Sequence, residues 1–300
     1  MNVDEAMVRK IVAQVMDKVQ QGPSVKSART SGEFATVDQA VAAARKAYNA
    51  LRELTLEQRE KMICAMRQTI EEHAELLAKM AVVETGMGRI DDKTLKNQMA
   101  ARKSPGTEDL TTKAFTGDHG IVLVERGPYG VIGAITPTTN PSETIISNGI
   151  AMVASGNSVV FSPHPSAVKT SKKTIQLLNE AIIKVDGPAN LLVTLINPSI
   201  EAANEIMHHP GINLLVATGG PGVVKAVMSS GKKAIGAGAG NPPAVVDETA
   251  DIKKAARDIV AGCAFDNNLP CIAEKEVIVV EAVADALISY MQQYGAFLIA

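Results

Sequence analysis

Hydrophobic residues near the start of the chain recur at the spacing of an α-helix. Between residues 3 and 20, apolar side chains such as Val3, Met7 and Ile11 repeat at steps of four with charged residues opposite, which predicts an amphipathic helix. Residues 21–33, rich in Gly, Pro and Ser, predict a flexible linker. So short a helix needs a surface on which to bury its apolar stripe. That surface is either the protein itself or, as the linker favours, a partner to which the helix docks.

A second helical region begins at Val37. Within it, Thr55 and Gln58 have the spacing of a capping box, in which each side chain bonds the backbone N–H of the other residue. The pair predicts the start of a long helix that runs toward Gly86.

Beyond Gly86, short apolar runs typical of strands alternate with stretches of helical periodicity. The predicted strands are residues 121–125, 131–135, 158–161, 191–196 and 212–217, and the predicted helices are residues 143–154, residues 167–184 and a third from Ile200. Apolar strands separated by helices predict a parallel sheet covered on both faces, the doubly wound α/β arrangement. Ligands of such sheets bind beyond the carboxyl ends of the strands, so the polar residues found there are the candidates for chemistry.

The last part of the chain predicts a second unit. Strands over residues 244–246 and 276–280 flank a helix over residues 252–260, and a helical, apolar stretch follows over residues 282–300. We therefore expect an α/β protein with a doubly wound domain over residues 34–240 and the start of a second α/β domain over residues 241–300.

Composition excludes several classes of function. Lys and Arg total 30 against 32 Asp and Glu, so the chain has no basic field with which to hold nucleic acid or an anionic membrane. The sequence has no run of 18 apolar residues that could span a bilayer, and Asp4 and Glu5 lie where a signal peptide would have basic residues, so we expect a cytoplasmic protein. The three cysteines have neither CxxC nor Cys/His spacing, which predicts neither a disulfide framework nor a metal site.

Two predicted strands are followed by polar, proline-rich loops. After residues 131–135 come Thr136, Pro137, Thr138, Thr139 and Asn140. The Asn140 amide is either a donor to a developing oxyanion or a helix cap in a rigid turn. After residues 158–161 come Ser162 and His164. We expect His164 to contact a cofactor or to pack, rather than to act as a general base.

Glycine-rich segments follow the next strand. Thr218, Gly219 and Gly220 precede a helix, where backbone N–H groups and the helix dipole favour a phosphate. Neither this run nor residues 236–240, which include Gly238, has the GxGxxG spacing of the ordinary dinucleotide motif. A tight turn without a ligand explains the first run equally well.

The cysteines have different sequence surroundings. Cys64 and Cys263 lie in helical, apolar stretches, which predicts two small buried side chains. Cys271 lies in the polar loop 265–275, just before a predicted strand, which is an accessible setting for a thiolate nucleophile or for a free thiol without a role.

Taken in order, these segments resemble the CoA-acylating branch of the aldehyde dehydrogenase superfamily, the branch found in bacterial microcompartments. The most specific segments are Glu84-Thr85-Gly86-Met87-Gly88, Pro137-Thr138-Thr139-Asn140-Pro141, Phe161-Ser162-Pro163-His164-Pro165, Gly236-Ala237-Gly238-Ala239-Gly240-Asn241-Pro242-Pro243 and Asn268-Leu269-Pro270-Cys271. The resemblance implies Cys271 as nucleophile and Asn140 as the oxyanion-stabilising amide.

The resemblance also implies the ligands. Residues 34–240 would form a Rossmann-like nucleotide-binding domain and residues 241–300 the beginning of a catalytic domain, incomplete because family members run further. NAD would lie on Thr136, Pro137, Thr138, Ser162, His164, Thr218, Gly219, Gly220 and Gly238. A short-chain aldehyde and coenzyme A would be the substrates, and residues 1–20 would dock to a microcompartment shell or cargo. Full-length members are expected to be homo-oligomers in the microcompartment lumen.

One departure from the hydrolytic members bears on the reaction. Their general-base glutamate falls at about Ala237 when Pro243 is aligned with their downstream proline. Without a base, a thioester favours attack by a thiol over attack by water. The alternatives are a hydrolytic dehydrogenase, a reductase of acyl phosphates and a non-catalytic fragment that serves as microcompartment cargo; the choice between NAD and NADP stays open.

Overall fold

The computed structural model describes residues 32–299, so the predicted helix over residues 3–20 lies outside the described residues, as does the predicted linker up to residue 31. Gly32 and Glu33, the last two residues of the predicted linker, belong instead to the folded domain. Gly32 is buried and its carbonyl accepts from the Thr194 N–H at 2.8 Å. Glu33 begins strand β1 (Glu33–Phe34), which pairs with a strand of the main sheet.

Three helices follow β1: α1 (Val37–Arg52), α2 (Leu56–Thr85) and α3 (Ile90–Lys103). The capping box at the start of α2 is formed in both directions, and Gly86 ends the helix in the left-handed conformation. The long helix predicted from Thr55 is therefore confirmed. Helix α3 was not predicted from the sequence.

An exposed hairpin follows, formed by β2 (Lys113–Gly117) and β3 (Gly120–Val124). Residues 121–125 were expected to be a strand of the parallel sheet, and that expectation is wrong. β3 pairs only with β2 within the described residues, in antiparallel register, and every residue of both strands is exposed.

The main sheet alternates with helices as the sequence predicts. Its elements are β4 (Val131–Ile135), α4 (Pro141–Ala154), β5 (Ser158–Ser162), α5 (Val168–Lys184), β6 (Leu192–Leu195), α6 (Ile200–His208), β7 (Leu214–Thr218), α7 (Pro221–Met228) and β8 (Ala234–Ala237). Among these elements only β8 lacks a sequence prediction, because its Ala and Gly residues do not form an apolar run; the sixth strand of the sheet, β1, was not predicted as a strand either. The sheet has six parallel strands in the order β1-β6-β5-β4-β7-β8.

Both faces of this sheet are covered, because alternate residues of each strand point into separate hydrophobic cores. In β5, Val159 and Phe161 pack with helices α2, α4 and α5 on one face. Val160 packs with α1 and α6 on the other. From β4 the chain builds outward through β5 and β6 and then returns to build β7 and β8 on the opposite side. The doubly wound parallel sheet is therefore confirmed, with its switch point between β4 and β7.

The remaining elements are β9 (Pro243–Val246), α8 (Ile252–Ala264), β10 (Glu276–Val279) and α9 (Glu281–Gln293). β9 and β10 pair in parallel, and the helices pack on them around a third core. The predicted terminal helix is too long, since α9 ends at Gln293 and residues 296–299 have no regular structure. Among residues 32–299, no helix is long and apolar enough to cross a membrane.

Candidate active site

A cavity of about 820 Å³ opens at the carboxyl ends of four neighbouring strands, β5, β4, β7 and β8. Every site residue predicted from the sequence lines it: Thr136, Pro137, Thr138, Asn140, Ser162, His164, Thr218, Gly219, Gly220, Gly238 and Cys271. These residues come from five separate segments of the chain. The doubly wound topology brings them together because parallel strands end at one edge of the sheet.

The loop after β4 lines this cavity and contains two unpaired hydroxyl groups. The Thr136 N–H donates to the Ser162 carbonyl at 3.1 Å, which fixes this loop against the end of β5. Thr136 Oγ1 and Thr138 Oγ1 are buried and have no hydrogen-bond partner in the described part of the chain. Because buried polar atoms are nearly always paired, these two hydroxyls are suited to a polar ligand.

His164 lines the cavity, and its ring is held by a backbone N–H two residues further along the chain. Its Nδ1 accepts from the Ser166 N–H at 3.1 Å, so in this arrangement Nδ1 carries no proton and Nε2 is the nitrogen free to donate. This geometry favours a hydrogen bond to a ligand over proton abstraction by Nδ1.

The glycine run after β7 leaves open space at a helix start. The Gly219 N–H donates to the Ala237 carbonyl at 3.0 Å, which ties the turn to β8. A Cβ atom added at Gly220 would meet nothing within 4 Å, and α7 begins at the next residue. Backbone N–H groups beside such a space suit a phosphate. With the unpaired threonine hydroxyls, the cavity fits the phosphates and hydroxyls of a dinucleotide.

Cys271 is exposed and lines the cavity from the loop between α8 and β10. A Cβ atom at Gly240 would overlap the Cys271 carbonyl oxygen, so this loop packs directly on the glycine run after β8. The Lys275 ammonium donates to Asn268 Oδ1 at 2.5 Å and to the Pro270 carbonyl at 3.2 Å. Lys275 therefore holds the chain around Cys271 and itself lines the cavity, a role that the sequence did not indicate.

The other two cysteines differ from expectation in part. Cys64 was expected to be buried, but it is exposed, because the helix turns Met62, Ile63 and Met66 inward and Cys64 outward. Cys263 is partly buried and its Sγ donates to the Glu274 carbonyl at 3.1 Å. Burial, with a smaller contribution from the Glu274 carboxylate, raises the pKa of the Cys263 thiol. Neither of these two cysteines lines the cavity.

Asn140 lies at the start of α4 without making a side-chain cap. Its Oδ1 accepts from Lys96 Nζ at 2.5 Å and its Nδ2 donates to Thr139 Oγ1 at 3.1 Å. The helix-cap alternative is therefore wrong for the Asn140 side chain.

Lys96 and its buried charged neighbours were not predicted from the sequence, because no motif marks them. The only signal was two lysines three residues apart in an otherwise polar stretch.

Comparison with known proteins gives a consistent set of relatives. Propanal dehydrogenase (CoA-propanoylating) of Salmonella typhimurium is 50% identical over 295 residues, which make up 98% of this chain and 63% of that protein. A structure of a propionaldehyde dehydrogenase from the Clostridium phytofermentans fucose utilisation bacterial microcompartment has a TM-score of 0.86 and 56% identity. The match covers 90% of this chain and 62% of that chain.

A third relative carries ligands. It is a structure of Rhodopseudomonas palustris propionaldehyde dehydrogenase with bound CoA and an acylated cysteine, which is 54% identical to this chain and has a TM-score of 0.86. The match covers 90% of this chain and 62% of that one. The present chain thus spans less than two thirds of the length of these relatives. Because residues 11–296 match the family over nearly the whole chain, this protein belongs to the aldehyde dehydrogenase family.

Proposed function

We propose that this protein oxidises a short-chain aldehyde to an acyl-CoA, with NAD as oxidant and coenzyme A as acyl acceptor, through a thioester on Cys271. The observation that carries the proposal is the position of Cys271. Of the three cysteines, all within the described residues, it alone lines the cavity, together with the Asn140 amide and the glycine turn after β7. Identity of 50% to a CoA-propanoylating relative supports the same reaction.

Residues of this chain would perform the acylation as follows. The Cys271 thiolate attacks the aldehyde carbon, which forms a carbon–sulfur bond and places a negative charge on the former carbonyl oxygen. An N–H of the Asn140 side chain donates to that oxygen, since its amide oxygen already accepts from Lys96. NAD, when bound, would supply the hydride acceptor that the oxidation of this carbon to a thioester requires. The hydroxyls of Thr136 and Thr138 and the turn at Gly219 and Gly220 would hold NAD.

The thioester is then released by a thiol. The coenzyme A thiolate attacks the acyl carbon and the Cys271 thiolate leaves, so no general base for water is needed. Ala237, the position that aligns with the hydrolytic general base, carries no carboxylate and lies at the end of β8, next to the cavity-lining Gly238. The sequence at this position thus favours acyl transfer to coenzyme A over hydrolysis.

Acyl transfer in reverse tests the proposal without NAD. The chain is incubated with propionyl-CoA, and acylation is followed by the intact mass and by peptide mapping. We expect one propionyl group on Cys271, retained in Cys64→Ser and Cys263→Ser and lost in Cys271→Ser. Cys64 is an exposed thiol outside the cavity, so it serves as the internal control. Equal acylation of Cys64 and Cys271, or none, would overturn the proposal.

Restoring a carboxylate distinguishes the hydrolytic alternative. In Ala237→Glu, a carboxylate beside the cavity can activate water, so the acylated protein should release free propionate faster than the parent chain. Ala237→Gln, which adds a side chain of the same size without a carboxylate, is the matched control. An unchanged hydrolysis rate in a folded Ala237→Glu protein that still acylates would contradict the alignment at this position.

We also propose that the protein works in the cytoplasm, inside a bacterial microcompartment, as a homo-oligomer, and that residues 1–20 dock to the shell or to other cargo. The microcompartment origin of a relative with 56% identity supports the location. The apolar stripe of residues 3–20 supports docking.

A further inference from the structure

Four charged side chains are buried together between helices α3 and α4 and the segment that leads to Cys271. Lys93 and Lys96 lie on α3, Glu143 lies on α4 and Asp266 follows α8. The side chains of Lys93 and Asp266 are 0% exposed, Lys96 is 6% exposed and Glu143 is 10% exposed. Two cations and two carboxylates balance formally. A protein with well-packed apolar residues in place of a buried ion pair is often equally stable or more stable. The cluster therefore suggests a role other than stabilising the fold.

The Lys96 ammonium donates two hydrogen bonds, to Asn140 and Asp266, and forms an ion pair with Glu143. Its Nζ lies 2.5 Å from Asn140 Oδ1, 2.5 Å from Asp266 Oδ2 and 3.0 Å from Glu143 Oε1. Burial by itself would lower the pKa of Lys96, but the carboxylates of Glu143 and Asp266 outweigh burial and raise that pKa above its ordinary value. Lys96 therefore stays charged across the neutral range.

A charged ammonium fixes the orientation of the Asn140 amide. An ammonium group donates and cannot accept, so the amide atom that faces Lys96 is the oxygen. The amide nitrogen consequently lies on the other side, where one N–H donates to Thr139 Oγ1 at 3.1 Å. Its second N–H is left for a ligand in the cavity that Asn140 lines. Without Lys96, the amide could rotate and turn its oxygen toward a developing oxyanion.

Asp266 connects the same cluster to the Cys271 segment. Its Oδ1 accepts from the Arg89 N–H at 2.8 Å, and its own N–H donates to Asp92 Oδ2 at 2.9 Å. Asp266, Asn267 and Asn268 all have positive φ, at 48°, 54° and 60°, a conformation that needs such tertiary support. One carboxylate thus bonds Lys96 and anchors the chain just before Cys271.

We propose that Lys96 is a positioning residue, which holds the Asn140 amide with an N–H toward the cavity. Through its contact with Asp266, Lys96 also fixes the position of that amide relative to the Cys271 loop. The proposal deepens the proposed function and rests on it for the identity of the oxyanion. Lys93 offers a matched control. It has the same charge, helix and buried partner, but it donates to the Thr139 carbonyl and Asp266 rather than to the Asn140 amide.

A double-mutant cycle on the 300-residue chain tests this role. The rate of Cys271 acylation by propionyl-CoA is measured against propionyl-CoA concentration for the parent, Lys96→Met, Asn140→Ala and the double variant. Asn140→Ala should lower the limiting rate by about 10²–10³-fold, as for loss of one oxyanion donor, and Lys96→Met by at least ~10-fold. The half-saturating concentration should change little. In the Asn140→Ala background, Lys96→Met should have almost no further effect.

Two outcomes overturn the proposal: Lys96→Met lowers the limiting rate by the same factor in both backgrounds, or Lys93→Met lowers it as much as Lys96→Met. If Lys96→Met does not fold, Lys96→Arg keeps the charge, displaces the amide, and is used in the same cycle. If the parent chain is not acylated, the proposed function fails by itself. Thermal unfolding of the same four proteins then decides the positioning role, since coupled residues give non-additive shifts in the midpoint and independent residues give additive ones.

Discussion

The three cysteines differ in what surrounds each sulfur atom. Cys64 faces solvent on α2, Cys263 donates to a backbone carbonyl in a partly buried position, and Cys271 faces the cavity. Thiolate, rather than thiol, is the reactive form, so exposure and pKa together set the rate of alkylation. Exposure therefore does not by itself distinguish the nucleophile from Cys64. The distinguishing feature is that Cys271 lines the cavity and Cys64 does not.

Alkylation by iodoacetamide should follow this difference. At pH 8, Cys64 and Cys271 should be modified faster than Cys263, because burial raises the pKa of Cys263 and leaves less thiolate at that pH. Raising the pH should increase the Cys263 rate over a range displaced to higher pH than that of a free thiol. Propionyl-CoA should protect Cys271 and leave the Cys64 rate unchanged, as measured by peptide mapping. Protection of both thiols would mean that the cavity does not determine the reactivity.

The error at Cys64 shows where residue-level prediction stopped. The neighbours Met62, Ile63 and Met66 made the stretch apolar, and all three are buried. A helix advances about 100° per residue, so one position within an apolar stretch can still face outward. The direction of a helix face relative to the core depends on how the helix is packed, which this short stretch did not determine.

At the scale of elements, the motif near the end of α2 has a structural explanation. Glu84 accepts from the Lys169 N–H, the Thr170 N–H and Thr170 Oγ1, each at 2.7 Å. These two backbone N–H groups belong to the first turn of α5, whose own N-cap residue makes no side-chain cap. Glu84 thus caps a helix from outside, in the place usually taken by a local Ser, Thr or Asp.

Removing this carboxylate should destabilise the protein. Glu84→Ala is expected to lower the free energy of unfolding by about 1–2 kcal/mol, because it leaves two helix N–H groups without their acceptor. Glu84→Gln should cost less, since one acceptor oxygen remains. Urea denaturation monitored by circular dichroism measures both changes. Glu75→Ala on the same helix, where the side chain makes an exposed pair with Lys79, is the control and should change little. Equal effects of Glu84→Ala and Glu75→Ala would exclude the capping role.

Helix α3 shows why one element escaped prediction. Its buried positions include Lys93, Lys96 and Asn97, with Ala101 as the one apolar residue among them. Hydrophobic periodicity detects helices that bury apolar faces, and α3 instead buries charges that are paired by Glu143 and Asp266. The exposed β2–β3 hairpin is the converse case, since its apolar residues suggested burial that the described residues do not provide.

At the scale of the whole molecule, the sheet and its ligand edge were predictable because they follow from general rules. Apolar strands separated by helices specify a doubly wound sheet, and such a sheet places its strand ends together. The contact between the Cys271 loop and Gly240, and the network through Asp266, depend on tertiary packing between distant segments. No spacing in the sequence indicates either of them.

The segment before β1 is the remaining part of the molecule with a testable role. Deletion of residues 1–20 should leave the thermal unfolding midpoint and the Cys271 acylation rate unchanged, because the cavity and the three hydrophobic cores are built from residues 32–299. The deletion should abolish co-sedimentation of the chain with microcompartment shells.

Single substitutions separate docking from a general effect of the deletion. Ile11→Asp places a charge in the apolar stripe and should abolish co-sedimentation, whereas Ala13→Asp adds the same charge on the opposite face, between Arg9 and Asp17, and should not. A helix that packs on its own protein would behave differently, since Ile11→Asp and the deletion would then lower the unfolding midpoint or the acylation rate. Loss of co-sedimentation without either change is the result that docking requires, because only a segment independent of the folded domains can lose its apolar stripe at no cost to them.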